Sequence, residues 1–354
     1  MGDYKRELED LISLVITKKA SDVHISAFRH PMIRVTGEIQ PVLTHPVYTP
    51  EDSLNILFQL VDDDLKKRFL EKKDLDFSYS SKSGHRFRGN AYFQKGFVSI
   101  ALRYIPKEVG TLEELHLPPI LKDFTKKKQG FFLCVGPVGQ GKSTTLASLV
   151  NIINKERAEH ILTIEDPMEY IFKEEKSMID QREISFDTED FRTALRAMFR
   201  EDINVAMVGE MRDADTISTA VTAAETGHLV LSTLHTNNAP QTIDRIIDSF
   251  SAEQQGQIKL QLAGSLLAIF SQRLLPRRGG GRIPAYELLI NNNAVSNLIR
   301  EGRTNEINVI LETSAEEGMI DLNHSLVELV QRGDIDPEIA IKYSYNPKEL
   351  GKLL

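Results

Sequence analysis

The segment from Gly136 to Ser143 has the residue types and the spacing of a loop that binds nucleotide phosphates, G-x-x-x-x-G-K-S. The apolar run Phe131–Val135 precedes it, and we expect a helix to begin at Thr144, which is the context that such a loop requires. Glycines let backbone N–H groups face the phosphates, and the helix N-terminus adds partial positive charge. The loop therefore predicts nucleotide binding.

Two side chains of the loop have distinct predicted tasks. Lys142 is expected to reach the β- and γ-phosphates, and the Ser143 hydroxyl to ligate Mg²⁺, a cation that takes few protein ligands. We therefore expect ATP and Mg²⁺ as the cofactors. The predicted cofactor-binding residues of this segment are Gly136, Pro137, Val138, Gly139, Gln140, Gly141, Lys142, Ser143 and Thr144.

Carboxylates follow two of the later apolar runs. Glu165 and Glu169 come after Ile161–Ile164, and Glu210 comes after Val205–Val208. Nucleotide hydrolysis needs one carboxylate to orient the attacking water and another to hold the metal shell. Because parallel strands end at one edge of a sheet, we expect these acids beside the phosphate loop. The alternative interpretation of a single carboxylate after a strand is that it caps a helix or lies in a solvated turn.

Two histidines flank the apolar run Leu229–Thr233. His235 follows the run, so we expect it at the same edge as the acids, where it would sense the γ-phosphate or couple hydrolysis to movement; the alternative is a packed histidine. His228 lies at the other end of the strand, roughly 20 Å away, so the two cannot ligate one metal ion. Two interpretations of His228 remain, a nucleotide contact and a packed side chain.

The residues before the phosphate loop predict a separate α+β domain. A helical stripe occupies Lys5–Lys19, short alternating runs between residues 22 and 105 predict strands, and Ser53–Phe69 has a helical pattern. The polar segment after Ile105 contains Pro and Gly and predicts a boundary. We expect an N-terminal domain at 1–105, a linker at 106–115 and a second domain at 116–354.

The second domain alternates short apolar runs with longer helical or loop segments. This rhythm predicts an α/β fold with a parallel sheet that is covered by helices on both faces. Residues 294–354 are expected to be largely helical. Arg277 and Arg278, followed by three glycines, predict a flexible hairpin.

Composition excludes several classes of protein. With 43 Lys+Arg against 51 Asp+Glu, the net charge is -8, which disfavours nonspecific nucleic-acid binding. The single cysteine, Cys134, excludes an intramolecular disulfide and a four-cysteine metal site, and it favours a cytoplasmic location. The apolar runs fall far short of the roughly 20 residues needed to cross a bilayer, so we expect only peripheral membrane contact.

The motifs occur in the order found in secretion ATPases. An acidic segment, a second acidic segment and a histidine segment follow the phosphate loop at Thr163–Tyr170, Val208–Asp213 and Glu225–Thr236. Further similarity lies in Ala20–His24, Arg86–Arg88, Arg103–Pro106 and Asn297–Glu301. The chain therefore resembles the secretion ATPases over nearly all of its length, and within them the retraction motors of type IV pili.

The resemblance implies a PAS-like N-terminal domain, a RecA-like ATPase domain and a homohexameric ring with ATP sites between domains and subunits. It implies Glu169 as the general base, Glu210 as the acid that supports Mg²⁺ and water, and Glu165 and Asp166 as supporting acids. Arg88 and Arg103 become candidates to reach a nucleotide phosphate. The implied partner is the platform protein of the pilus in the inner membrane, contacted from the cytoplasmic side.

Three other functions compete with pilus retraction. Assembly ATPases for pilus extension or secretion commonly carry a long N-terminal extension and a four-cysteine zinc module, which one cysteine cannot build. A DNA-translocating RecA-like motor is disfavoured by the net charge and by the lack of a basic-aromatic array. The full set of acids argues against a regulatory module that binds nucleotide without hydrolysing it.

Overall fold

The computed structural model describes residues 3–35, 37–106 and 108–354. The chain folds into two compact units, Met1–Glu108 and Val109–Leu354. Lys107, which belongs to the expected linker, lies outside the described residues. Leu112, also expected in the linker, is buried in the hydrophobic core of the second unit. Part of the expected linker therefore belongs to the packed core of the second unit.

The first unit is a six-stranded antiparallel sheet with helices packed against it. The sheet has the order β3-β2-β1-β6-β5-β4. This arrangement confirms the prediction of an α+β N-terminal region. The elements are α1 (Tyr4–Thr17), α2 (Pro50–Leu60), α3 (Asp63–Lys72), β1 (Asp22–Ser26), β2 (Met32–Val35), β3 (Glu38–Pro41), β4 (Asp74–Ser80), β5 (Arg86–Gln94) and β6 (Phe97–Ile105).

Two details of this unit differ from the sequence prediction. The single helix expected over Ser53–Phe69 is two helices, because the side chain of Asp62 accepts a hydrogen bond of 2.9 Å from the backbone N–H of Leu65 and starts α3. Strand β3 was not predicted. All four of its residues are exposed, so it lacks the apolar alternation that marks a buried strand.

A glycine in β5 makes room for an aromatic ring of β4. Gly89 and Phe77 are register partners in the two strands, and Phe77 is buried. A Cβ atom at position 89 would lie 2.2 Å from the Phe77 ring. The ring therefore packs over bare backbone, and any larger residue would displace it from the core.

The second unit is a seven-stranded sheet with helices on both faces. Its strand order is β13-β12-β7-β11-β10-β8-β9. The strands are β7 (Gly130–Val135), β8 (His160–Glu165), β9 (Met178–Glu183), β10 (Val205–Val208), β11 (Leu229–Leu234), β12 (Leu266–Pro276) and β13 (Arg282–Ile290). The helices are α4 (Leu121–Thr125), α5 (Lys142–Glu156), α6 (Phe191–Met198), α7 (Ala214–Glu225), α8 (Ala239–Asp248), α9 (Ala252–Ser265), α10 (Asn293–Glu301), α11 (Ile307–Thr313), α12 (Leu322–Gln331), α13 (Pro337–Tyr343) and α14 (Pro347–Leu353).

The expected parallel sheet is parallel except at one edge. Strand β13 pairs antiparallel with β12, because the turn between Pro276 and Arg282 is too short for a crossover connection. Side chains of β7 alternate between two cores: Leu133 packs with the helices of one face, and Phe132 and Cys134 pack with those of the other. The apolar runs identified in the sequence are therefore strands that are buried on both sides.

The C-terminal region is largely helical, as predicted. Leu298 and Ile299 are buried in the core, whereas Arg300 and Glu301 each pair with a different residue. Arg300 donates to the Asn297 side chain, and Glu301 pairs with an arginine two residues further on. Within the described part of the chain, no helix combines the length and the apolar character needed to span a membrane.

Candidate nucleotide-binding site

The phosphate loop connects the carboxyl end of β7 to the first turn of α5. Gly136, Gly139 and Gly141 have φ angles of 145°, 77° and 83°, which glycine adopts without strain. A Cβ atom at Gly136 would lie 2.5 Å from the carbonyl oxygen of Gln272. Among the described residues no side chain caps α5, so the N–H groups of its first turn are available to an anion.

Two glutamines brace the loop against β12. Gln140 Oε1 accepts a hydrogen bond of 2.7 Å from the backbone N–H of Leu274, and the Gln140 carbonyl accepts one of 2.9 Å from Gln272 Nε2. Gln272 Oε1 in turn accepts from the Thr145 hydroxyl at 2.7 Å. Sequence reasoning did not identify Gln272. The available sequence signal was the polar segment Ser271–Arg273 between two apolar runs.

Lys142 points back into the loop. Its Nζ donates to the carbonyl oxygens of Gly136 at 2.8 Å and Pro137 at 2.9 Å. Burial lowers the pKa of Lys142 below its usual value. An anionic phosphate in the loop would offset that desolvation, because it would supply the opposite charge that the two neutral carbonyls lack.

His235 connects Lys142 to the second acid. Lys142 Nζ lies 3.4 Å from His235 Nδ1, and His235 Nε2 lies 3.3 Å from a carboxylate oxygen of Glu210. These partners assign the ring as the tautomer that accepts at Nδ1 and donates from Nε2. Glu210 also pairs with Arg212, which lies in the segment Val208–Asp213 and had no predicted role. This contact raises the pKa of Arg212 above its usual value.

The acidic segment after β8 divides into an exposed and a buried carboxylate. The Ser143 hydroxyl donates to Glu169 Oε1 at 3.0 Å, and Glu169 is exposed. Glu165 is 5% exposed and accepts hydrogen bonds from the Thr163 hydroxyl at 2.9 Å and from the Glu169 backbone N–H at 3.2 Å. Burial raises the pKa of Glu165 to about 7. Glu165 therefore holds the backbone of the residue that faces the loop.

Three further residues were predicted to contact the nucleotide. His228 directly precedes β11, at the edge of the sheet opposite the phosphate loop, and its Nδ1 lies 3.1 Å from the carbonyl oxygen of Ala223. Within this chain it is therefore not part of the phosphate site. Arg88 and Arg103 belong to the first unit, where they are register partners on β5 and β6. Arg103 Nε lies 2.9 Å from an Asp22 carboxylate oxygen, and Arg88 is exposed.

The geometry combines what phosphoryl transfer to water requires. The glycine-rich loop and the open helix N-terminus can bind phosphates, and Lys142 supplies a cation. Two carboxylates lie beside them: Glu169 contacts Ser143, and Glu210 contacts His235. These groups all lie at the carboxyl edge of the parallel strands, where ligands bind in such sheets.

Comparisons with known proteins give a consistent result. The family model described as Type II/IV secretion system protein matches residues 2–334. The chain is 40% identical to the type IV pilus retractation ATPase PilT of Pseudomonas aeruginosa, over 94% of this chain and 97% of that protein. It is 42% identical to a twitching motility protein of Neisseria gonorrhoeae, over 92% and 87% of the two chains. The crystal structure of the pilus retraction motor PilT with bound ADP superposes with a TM-score of 0.91 at 43% identity, covering 97% of this chain and 98% of that one.

Proposed function

The chain belongs to the family of type II/IV secretion system proteins, and we propose that it is the ATP-driven motor that retracts type IV pili. It is an ATP-hydrolysing enzyme with a RecA-like core. The observation that carries the proposal is that the similarity to retraction ATPases extends over both units. The pairing of Ser143 with Glu169 supports hydrolysis rather than binding alone.

The residues of the loop fit ATP. Left-handed glycines and an open helix N-terminus suit the phosphates, and Lys142 is positioned to exchange its two carbonyl partners for phosphate oxygens. Glu169 is proposed as the general base, because it is exposed, contacts the loop serine and can accept a proton from an attacking water. Glu165 is proposed as the residue that positions Glu169 through its backbone N–H.

The donor set beside the loop also fits Mg²⁺. A serine hydroxyl and carboxylate oxygens are ligands that this cation accepts, and Ser143 and Glu210 are the residues proposed to hold it, Glu210 directly or through water. The ion would neutralise charge on the phosphate oxygens during transfer. His235, between Lys142 and Glu210, is proposed to report the state of the γ-phosphate to the rest of the unit.

We further propose that the chain works as a homohexameric ring at the cytoplasmic face of the inner membrane, without nucleic acid, and acts on the platform protein of the pilus. In such a ring the neighbouring subunit would contribute Arg88 or Arg103 to the nucleotide phosphates, and His228 is kept as a further candidate contact. The pairing of Arg103 with Asp22 supports Arg88 as the more available of the two exposed cations. Ring formation predicts turnover per subunit that rises with protein concentration.

Deletion of the gene tests the direction of movement. Cells without this chain should assemble surface pili that no longer retract, and the wild-type gene should restore retraction of fluorescently labelled filaments. Loss of all surface pili on deletion would instead assign the chain to filament extension. Normal pili with normal retraction would contradict both assignments and favour a different secretion system or a DNA motor.

A further inference from the structure

The loop that follows His235 is held by a residue from the far C-terminus. The Tyr345 hydroxyl donates a hydrogen bond to the backbone carbonyl of Asn237. The same hydroxyl accepts one of 2.7 Å from Arg273, which also donates to Asn237 Oδ1 at 2.8 Å. The Arg273 guanidinium lies 5.5 Å from the centre of the Tyr345 ring, within range of a cation–π contact. We call Asn237, Arg273 and Tyr345 the loop clasp.

Two further contacts hold the same loop from the sheet. The Ser271 hydroxyl donates to the Asn237 carbonyl at 2.7 Å, and buried Glu287 accepts a hydrogen bond of 2.7 Å from the backbone N–H of Ala239. The carbonyl of Asn237 thus has one partner from β12 and one from the segment between α13 and α14. The contacts from Ser271 and Glu287 belong to the sheet. The hydrogen bond from Tyr345 is the one that a movement of the C-terminal segment would break.

His235 precedes Asn237 by two residues, and its ring must meet Lys142 and Glu210 at the same time. Both ring contacts are already long, at 3.4 and 3.3 Å, so a small shift of the loop would lose one or both of them. The placement of the backbone at Asn237 therefore decides whether His235 bridges the loop lysine and the second acid.

We propose that Tyr345 is a positioning residue for ATP hydrolysis, which holds His235 in the phosphate site through the backbone of Asn237. The C-terminal segment and the phosphate site are then linked, so that displacement of the segment slows turnover. This inference rests on the proposed function, because it requires that His235 take part in hydrolysis. It assigns to the C-terminal segment a task in the chemistry as well as in packing.

Steady-state hydrolysis by Tyr345→Phe tests the proposal, because this variant keeps the ring and removes only the hydroxyl. We expect kcat to fall about 10-fold while KM for ATP changes less than about twofold, since the lost contact misplaces a catalytic group without removing a phosphate contact. Tyr343→Phe is the matched control: its ring packs against the C-terminal core cluster, and its turnover should equal that of the wild type. Both variants should keep the wild-type melting temperature.

A double-mutant cycle with His235→Ala separates positioning from a general loss of structure. If the clasp acts through His235, Tyr345→Phe should have no further effect on kcat in the His235→Ala background. Two results would overturn the role of the clasp and leave the proposed function in place. One is additive losses of kcat in the double variant, and the other is a wild-type kcat in Tyr345→Phe together with a reduced kcat in His235→Ala. Wild-type turnover in His235→Ala would overturn the proposed role of His235 and with it this inference.

Discussion

Ser143 and Glu169 are joined by a hydrogen bond of 3.0 Å from the serine hydroxyl to the glutamate carboxylate. The contact connects the last residue of the phosphate loop to the last acid of the segment after β8. Strand β8 ends at Glu165, whose side chain turns into the core, and the chain then leads Glu169 out to the loop. Of the two glutamates, Glu169 is therefore the one that can meet a phosphate and a water.

Replacement of Lys142 should abolish ATP turnover. Lys142→Ala removes the ammonium that lies inside the loop, where the other phosphate-binding groups are neutral backbone donors. We expect a loss of at least about 100-fold in kcat, measured as phosphate release by the folded protein. Lys155→Ala, at the exposed end of the same helix, should behave as the wild type. Near-normal hydrolysis by Lys142→Ala would remove the loop from the mechanism.

Loss of the Gln140 brace should weaken nucleotide binding more than it slows hydrolysis. Gln140→Ala removes the acceptor for the Leu274 N–H, so the loop is less ordered before the phosphates arrive. We expect ADP affinity to fall roughly 3- to 10-fold, which is about 1 kcal/mol, by titration with a fluorescent analogue. Gln241→Ala, on the exposed face of α8, is the control. Unchanged affinity in Gln140→Ala would mean that the brace does not order the loop.

The raised pKa of Glu165 predicts a specific pH dependence of stability. Because burial raises the pKa of this carboxyl from 4.5 to about 7, folding favours its protonated form. That stabilisation is complete below pH 4.5 and is lost as the pH rises through 7. The melting temperature should therefore fall between pH 5 and 8 in the wild type, and fall less in Glu165→Gln.

Glu287 provides an internal comparison for this measurement. Burial raises the pKa of Glu287 to about 7 as well, so Glu165→Gln should remove only part of the pH slope. A glutamine at position 287 still offers an oxygen to the Ala239 N–H. The double variant with Glu287→Gln should flatten the slope further, and identical slopes in all three proteins would show that neither carboxyl gains protons on folding.

A methyl group at position 89 should destabilise the first unit. Gly89→Ala would force the Phe77 ring out of its place over the β5 backbone, and overpacking of this kind costs about 1–3 kcal/mol. The measurement is hydrogen exchange of the amides in β4 and β5, which should become faster. Gly256→Ala, where the added Cβ meets open space in helix α9, should leave exchange unchanged or slower. Equal exchange in both variants would contradict the packing.

Local sequence patterns, together with the rule that parallel strands end at one edge of a sheet, were enough to predict which residues form the site. Apolar runs marked the strands, and because parallel strands share a carboxyl edge, Lys142, Glu169, Glu210 and His235 were expected together, as the structure has them. The start of α5 at Lys142 rather than Thr144 is a boundary difference of two residues.

Contacts between distant parts of the chain were not predictable from one sequence. The Thr145–Gln272 hydrogen bond joins residues 127 positions apart, and that of Asn237 with Tyr345 joins residues 108 apart. No local periodicity records such a pair, because each depends on how strands and helices pack after they form. The antiparallel edge strand β13 is different, because the hairpin predicted at Arg277 and Arg278 lies at the turn between β12 and β13.

Phosphate release at saturating ATP, compared between Glu169→Gln and Glu165→Gln, tests the central claim most directly. The claim is that Glu169, beside Ser143, activates the water, while Glu165 only holds the Glu169 backbone. We predict that Glu169→Gln binds ATP normally and loses at least about 100-fold in kcat, because the amide keeps the size of the side chain and cannot take a proton. Glu165→Gln should lose no more than about 10-fold. Wild-type turnover in Glu169→Gln together with an inactive Glu165→Gln would contradict the account.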